Sequence, residues 1–173
     1  MKSLLYFLCF LPFVSFSQNE FPKDWTGKWA GDLHIYSTDS LMQTVPMELH
    51  ILSTDSAHIY DWALIYKASD RAEDKRDYKL IVTDSSYVTD EQNSILLDGY
   101  LFDNVFIERF SVMNTLLTVM LEKQGDELHY RIIAGKQEAI RDSGGAVMEE
   151  QEIPMVYSYK LGSYHIAVLT RQE

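Results

Sequence analysis

A period of two runs through most of this chain and constrains its fold more than any other feature. From position 28 one parity carries Trp29, Gly31, Leu33 and Ile35, and the other carries Lys28, Asp32 and His34. Successive side chains of a β-strand point to opposite faces, so the pattern predicts a strand with one face buried. Gly27 and Gly31 leave room for backbone to approach or bend beside the large Trp29 indole, which is expected to plug one end of a closed sheet. The alternation returns at residues 44–51, where Val45, Met47, Leu49 and Ile51 share one side, and Pro46, Glu48 and His50 the other. Residues 58–66 hold the richest aromatic stripe, with His58, Tyr60, Trp62, Leu64 and Tyr66 on one face. Further strands are predicted at 77–83, 87–89, 95–98, 105–113, 115–123, 127–134, 153–160 and 164–171, with a bulge or bend at Gly99. The intervening residues are turn formers: Ser37 to Ser40, Ser53 to Ser56, Asp84 to Ser86, Asp103-Asn104, Asn114 and Gln124 to Asp126. Residues 67–76 read as a charged connection. Residues 135–152, with Gly144-Gly145 and the acids Glu149, Glu150 and Glu152, break the rhythm and read as a mobile lid or rim, or alternatively as a disordered segment.

Ahead of the first strand, Lys2, a mostly apolar run over 4–16 and the small Ser15 and Ser17 read as a secretory signal peptide over residues 1–17. The run is too short to cross a bilayer, and no membrane span is expected after its removal. Cys9, the single cysteine, lies within it. The exported chain is therefore expected to hold together by its core, without a disulfide. Residues 18–173 then form one domain, a length that buries roughly 70% of its unfolded surface. Residues 18–24 read as an exposed lead-in. The expected location is secreted or periplasmic, in a bacterial envelope. The formal charge of −11 becomes −12 when the one cation of the leader, Lys2, is removed. Such acidity argues against nucleic acid and anionic membrane surfaces as partners.

At Gly27, Lys28 and Trp29 the chain resembles the calycin superfamily, the lipocalins and fatty-acid-binding proteins, whose first strand carries Gly-x-Trp. Those barrels place an arginine near the end of the last strand, packed across that tryptophan. Arg171 stands at the matching place here. The resemblance implies an all-β fold, a single antiparallel up-and-down calycin-like barrel of about eight to ten strands. It also implies Gly27, Trp29 and Arg171 as a structural motif. Asp77-Tyr78 is similar to the Thr-Asp-Tyr signature of lipocalins but falls early in the chain, and their C-terminal helix and disulfide have no counterpart. The resemblance therefore stops at calycin-like.

Residues able to carry chemistry are scattered. Five histidines raise metal or haem ligation. None is spaced as His-x-His or His-x-x-x-His, and His34, His50 and His129 take the solvent parity, which leaves His58 and His165 as the better placed. Glu108 shares a parity with Phe106 and Phe110, so it is either a buried carboxyl with a raised pKa or the mark of a strand read inside out. Arg109 and Arg131 take the less apolar parity, where surface pairing is expected. Residues 90–94 lack the glycine and closing glutamate of a calcium loop, Gly144-Gly145 has no following lysine, and no Gly-x-Ser-x-Gly occurs. No metal, cofactor or catalytic constellation is expected, and an enzyme using His58 or Glu108 is the least favoured reading. Glu48, Asp61, Lys79 and Glu108 on the alternate faces argue against a lipid-facing barrel.

The candidate ligand-binding residues are Met47, Leu49, Tyr60, Trp62, Leu64, Tyr66, Tyr78 and Glu108. Methionine adapts to irregular shapes, and tyrosine hydroxyls orient a polar head group. The same side chains would fill a narrow barrel solidly, and periodicity does not distinguish the two. The functional expectation is an exported barrel binding a small apolar or amphipathic ligand, with residues 135–152 gating one mouth. The alternative is a non-enzymatic protein-interaction module of the cell envelope, with a solid barrel and an acidic loop that meets a protein partner.

Overall fold

The structure, a computed structural model, describes residues 20–69, 72–84 and 86–173, and the leader expected at 1–17 lies outside them. A short 3₁₀ turn, Lys23–Trp25, leads into β1 (Gly27–Ser37), β2 (Ser40–Ser53), β3 (Ile59–Tyr66), β4 (Asp74–Val82) and β5 (Tyr87–Asp90). There follow β6 (Leu96–Phe102), β7 (Val105–Val112), β8 (Thr115–Gln124) and the long β9 (Glu127–Ser143). A two-stranded hairpin of β10 (Val147–Met148) and β11 (Gln151–Glu152) precedes β12 (Val156–Arg171). Strands β1 to β9 run up and down, and β12 enters between β9 and β1 to close an antiparallel barrel. Closure leaves the sheet without an unpaired edge where the strands run around the barrel.

The alternation decides what goes inside. Trp29, Leu33, Met47, Leu49, Ile51, Trp62, Leu64, Leu80, Phe106, Leu121, Leu128 and Leu169 form one buried core. Burying each side chain of this size stabilises by about 1.5–3 kcal/mol. The other parity meets solvent and pairs across strands. Lys79 binds Asp61, Lys67 binds Glu48, and Arg131 donates from Nη1 to Glu122 Oε2 at 2.9 Å. Three of the histidines face neighbours on this outer surface: His34 meets Thr44 at 3.0 Å, His50 meets Glu48 at 2.8 Å and His129 meets Glu127 at 3.0 Å.

Barrel closure is fastened at Trp29. Its register partner across the seam is Arg171, whose guanidinium lies 4.4 Å from the indole centroid and donates to the Thr26 carbonyl at 2.5 Å. Gly27 is bare where a Cβ would stand 2.8 Å from Arg171 Nη1, and Gly31 is bare where the Val168 carbonyl comes close.

The strand directions give the barrel two different ends. One is plugged from outside the sheet: Phe21 and Trp25, 8% and 0% exposed, sit under the barrel wall. Phe21 stacks on Phe106 with centroids 4.8 Å apart and meets Trp25 and Tyr87 edge-on at 4.7 and 5.1 Å. Trp29 Nε1 donates to the Trp25 carbonyl at 2.9 Å, tying the plug to the first strand. The lead-in read as exposed is thus buried at Phe21, because the aromatic ring finds a cluster that only the closed sheet assembles.

Three other expectations change. Residues 135–152 are not a loop: β9 continues through Ser143 and pairs with β12, Val156 opposite Ser143. The predicted turn between 160 and 164 is instead a bulged stretch of one strand, with register shifts at Tyr159, Leu161 and Ser163. Beyond Lys136 on β9 and Tyr164 on β12, these two strands lose their outer partners and form a free ribbon. Gly99 makes no bulge. It stays in register opposite Glu108 and provides the space occupied by the Phe106 ring.

Candidate functional site

The open half of the barrel holds the polar side chains that the core does not absorb. A chamber of about 100 Å³ is lined by Trp62, Leu64 and Tyr66 of β3, Arg76 and Tyr78 of β4, and Thr89 of β5. Phe106, Glu108 and Phe110 of β7, with Tyr130 of β9, complete most of its wall. Above it a vestibule of about 250 Å³ is walled by Leu33, Ile35, Val45, Asp74, Ala134 and His165. Tyr66, Arg76, Leu117 and Ile132 belong to both, so the two spaces meet at that neck. Inward alternation puts these residues there, and the plug at the opposite end leaves this as the way in.

Glu108 is the chemical centre. It is 7% exposed, and its Oε1 has no hydrogen-bond partner among the described residues. Burial pushes its carboxyl up to about 7, Glu91 adds to the rise, and the adjacent Thr89 hydroxyl pulls the other way. Thr89 is itself 1% exposed, and its Oγ1 completes no bond of ordinary geometry among the described residues. Two orphan polar groups in one cavity are costly unless a guest or water pairs them. At the neck, burial raises the phenols of Tyr66 and Tyr130, whose hydroxyls interact with each other. Arg76 lies 5.4 Å from the Tyr66 centroid and reaches Asp74 at 3.3 Å.

Of the residues singled out from the sequence, Trp62, Leu64, Tyr66, Tyr78 and Glu108 line this chamber. Met47 and Leu49 belong to the buried core beside β1, and Tyr60 packs against it toward the plugged end; none of the three lines the chamber. His58 is exposed in the turn before β3, so it does not share the inward face of Trp62. His165 borders the vestibule, half-buried, with Nε2 3.1 Å from Ser163 Oγ, and burial lowers its pKa. No residue of 135–152 lines chamber or vestibule, so the gate expected there is absent from both walls. Thr89, Arg76 and Tyr130 join the site without having been singled out. Tyr130 was legible from its alternation with Leu128 and Ile132, whereas Arg76 lay hidden in a charged stretch. Among the described residues no three His, Cys, Asp or Glu side chains gather as a metal site.

The ribbon is the second feature. Ile140, Val147, Met148, Met155, Val156, Tyr157, Tyr159 and Leu161 are exposed along it. On the outer wall at its base lie two shallow depressions of about 470 and 480 Å³, both bordered by Leu161.

The closed antiparallel barrel and its occupied seam define a calycin-like fold. No protein-family model matches the sequence, and no curated protein does. Among solved structures the chain is similar to the S-type phycobiliprotein lyase CPES of Guillardia theta, with TM-score 0.57 and 7% identity over 86% of this chain and 88% of that one. It is also similar, with TM-score 0.57 and 13% identity, to a protein of unknown function from the DUF3598 family of Nostoc punctiforme. That match covers 87% of this chain and 48% of the other, so this chain spans about half its length.

Proposed function

We propose that this protein is an exported carrier or sensor that binds one small amphipathic molecule through the open end of its barrel, polar end first. The observation that carries this reading is Glu108 Oε1, buried and without a hydrogen-bond partner among the described residues beside the buried Thr89 hydroxyl, inside a chamber that opens to a largely apolar vestibule. A core evolved only for stability would place an apolar residue there, because an unpaired buried carboxyl is costly. The two spaces together reach the lower end of ordinary ligand pockets, about 300 Å³. The guest is therefore small. Its tail packs on Leu33, Ile35 and Val45, and its head meets Glu108, Thr89 and the tyrosine hydroxyls.

Native mass spectrometry of the protein purified from its own envelope or culture fraction tests the reading, and the N-terminal mass reports leader removal at the same time. A stoichiometric adduct lost on denaturation, and lost in Trp62→Ala while the fold persists, is the expected result. A bare mass in both proteins sinks it.

A second reading has its own support in the exposed apolar side chains of the ribbon, which suit a protein partner. Removing residues 143–152 would then abolish capture of that partner and leave ligand binding intact.

A further inference from the structure

We infer that the molecule bound in the barrel carries a cationic amine, seated against Glu108 inside a cage of aromatic rings. This rests on the ligand-binding reading above and adds the chemistry of the head group. The rings of Trp62, Tyr66, Phe106, Phe110 and Tyr130 share the chamber with the unpartnered Glu108 carboxyl. Aromatic faces carry negative potential and attract a cation strongly when water is excluded. A carboxylate among them supplies the full countercharge and accepts the N–H bonds of the head.

The charges of the walls favour the same sign. Glu108 and Glu91 line the chamber against one guanidinium, Arg76, and Arg76 is already matched by Asp74. An anionic head would approach two carboxylates, and Arg76, the one cation among the described residues of the chamber wall, is already matched by Asp74. A neutral alcohol would satisfy Glu108 Oε1 and leave the cage without its electrostatic partner. Size narrows the class further. A cavity of about 150 Å³ holds benzene, so the chamber of about 100 Å³ takes the ammonium and its first few carbons. The rest of the chain lies in the vestibule among Leu33, Ile35, Val45 and Ala134. The guest is an alkyl or aralkyl monoamine rather than a lipid or a tetrapyrrole.

The test uses three probes of one chain length, n-hexylamine, 1-hexanol and hexanoate, titrated calorimetrically into the leader-free protein near pH 8. Hexylamine is expected to bind at least about tenfold more tightly than hexanol, and hexanoate not at all. In Glu108→Gln the amine falls to the level of hexanol, while circular dichroism reports the fold. Lowering the pH to about 5.5 weakens the amine in the native protein toward the level of hexanol, a loss of about tenfold or more, because the carboxyl takes up its own proton. Hexanol stays level. The other titratable or charged groups facing the chamber and vestibule are Glu91, Tyr66, Tyr78, Tyr130, Arg76, Asp74 and His165. Glu91→Gln and His165→Asn controls with unchanged pH profiles assign that step to Glu108. Hexanol or hexanoate binding as tightly as the amine, or amine affinity unaltered in Glu108→Gln, overturns the amine inference and leaves the ligand-binding reading standing. Failure of all three probes to bind at millimolar concentration overturns the amine inference too. With a bare native mass beside it, the same failure removes the ligand reading as well.

Discussion

The two ends of this barrel are built from the same alternating strands, yet one is filled and the other is not. At the plugged end Phe21 and Trp25 arrive from outside the sheet: Trp25 packs on Phe21, and Phe21 packs on Phe106, Trp62 and Tyr87. Trp62 and Phe106, 5.7 Å apart edge-on, also wall the chamber, which toward the open end holds Glu108, Thr89 and the Tyr66–Tyr130 pair. Trp25, Thr89 and Glu108 are all buried, whereas Arg76 at the neck is exposed. Each region keeps a buried polar atom without a hydrogen-bond partner among the described residues, Trp25 Nε1 at the plug and Glu108 Oε1 in the chamber, but only the carboxyl carries a charge when ionised, which makes its burial the costlier. Stability is therefore concentrated at the plug and spent at Glu108, the arrangement expected where a site is kept ready for a guest.

The largest effect should come from breaking the plug. Trp25→Ala is expected to lose about 3–5 kcal/mol in urea unfolding, since the indole is wholly buried and its cavity has no way to collapse. Leu117→Ala at the neck should cost less than half as much. Equal losses would mean that the two ends do not differ in packing.

Next in size is the cost carried by Glu108. Its carboxyl titrates at about 7 in the folded chain and at the ordinary 4.5 when unfolded. Between those values the folded state binds more protons than the unfolded one, so stability falls as pH rises and then stays level above about 7. The gap corresponds to about 3 kcal/mol. Glu108→Gln should recover most of that near pH 8 and almost none below pH 4.5. A gain that does not depend on pH would show that the carboxyl is not the strained group.

Arg171→Ala removes the guanidinium from the face of Trp29 and one bond to the Thr26 carbonyl. The expected loss is about 1–2 kcal/mol, read from the same unfolding curves. Smallest of all, replacing 143–152 by a two-residue turn should move stability by less than about 0.5 kcal/mol, because the ribbon lies outside the core. A large loss there would make the ribbon part of the barrel's own support.

Legibility followed locality. A period of two is a property of neighbouring residues, so Trp62, Leu64 and Tyr66 were placed on one inward face correctly, and Glu108 between Phe106 and Phe110 showed up as an anomaly before any coordinates. The short Lys23–Trp25 turn carries no period, which hid the burial of Phe21. His58 failed for the opposite reason: it continues the parity of Tyr60 and Trp62, but the strand starts one residue later, at Ile59. In residues 135–152 the glycines and clustered acids imitate a loop, and the ribbon exists because β12 extends alongside β9.

Alternating side chains and turn residues thus determined by themselves an all-β barrel and most of its inward set, since pleat and turn chemistry act within a few residues. Whether that interior is solid, and which groups remain unpaired in it, was decided by the tertiary structure. Closure brings Thr89, Arg76 and Tyr130 from three separate strands to the space around Glu108, and a cavity is a property of such distant neighbours.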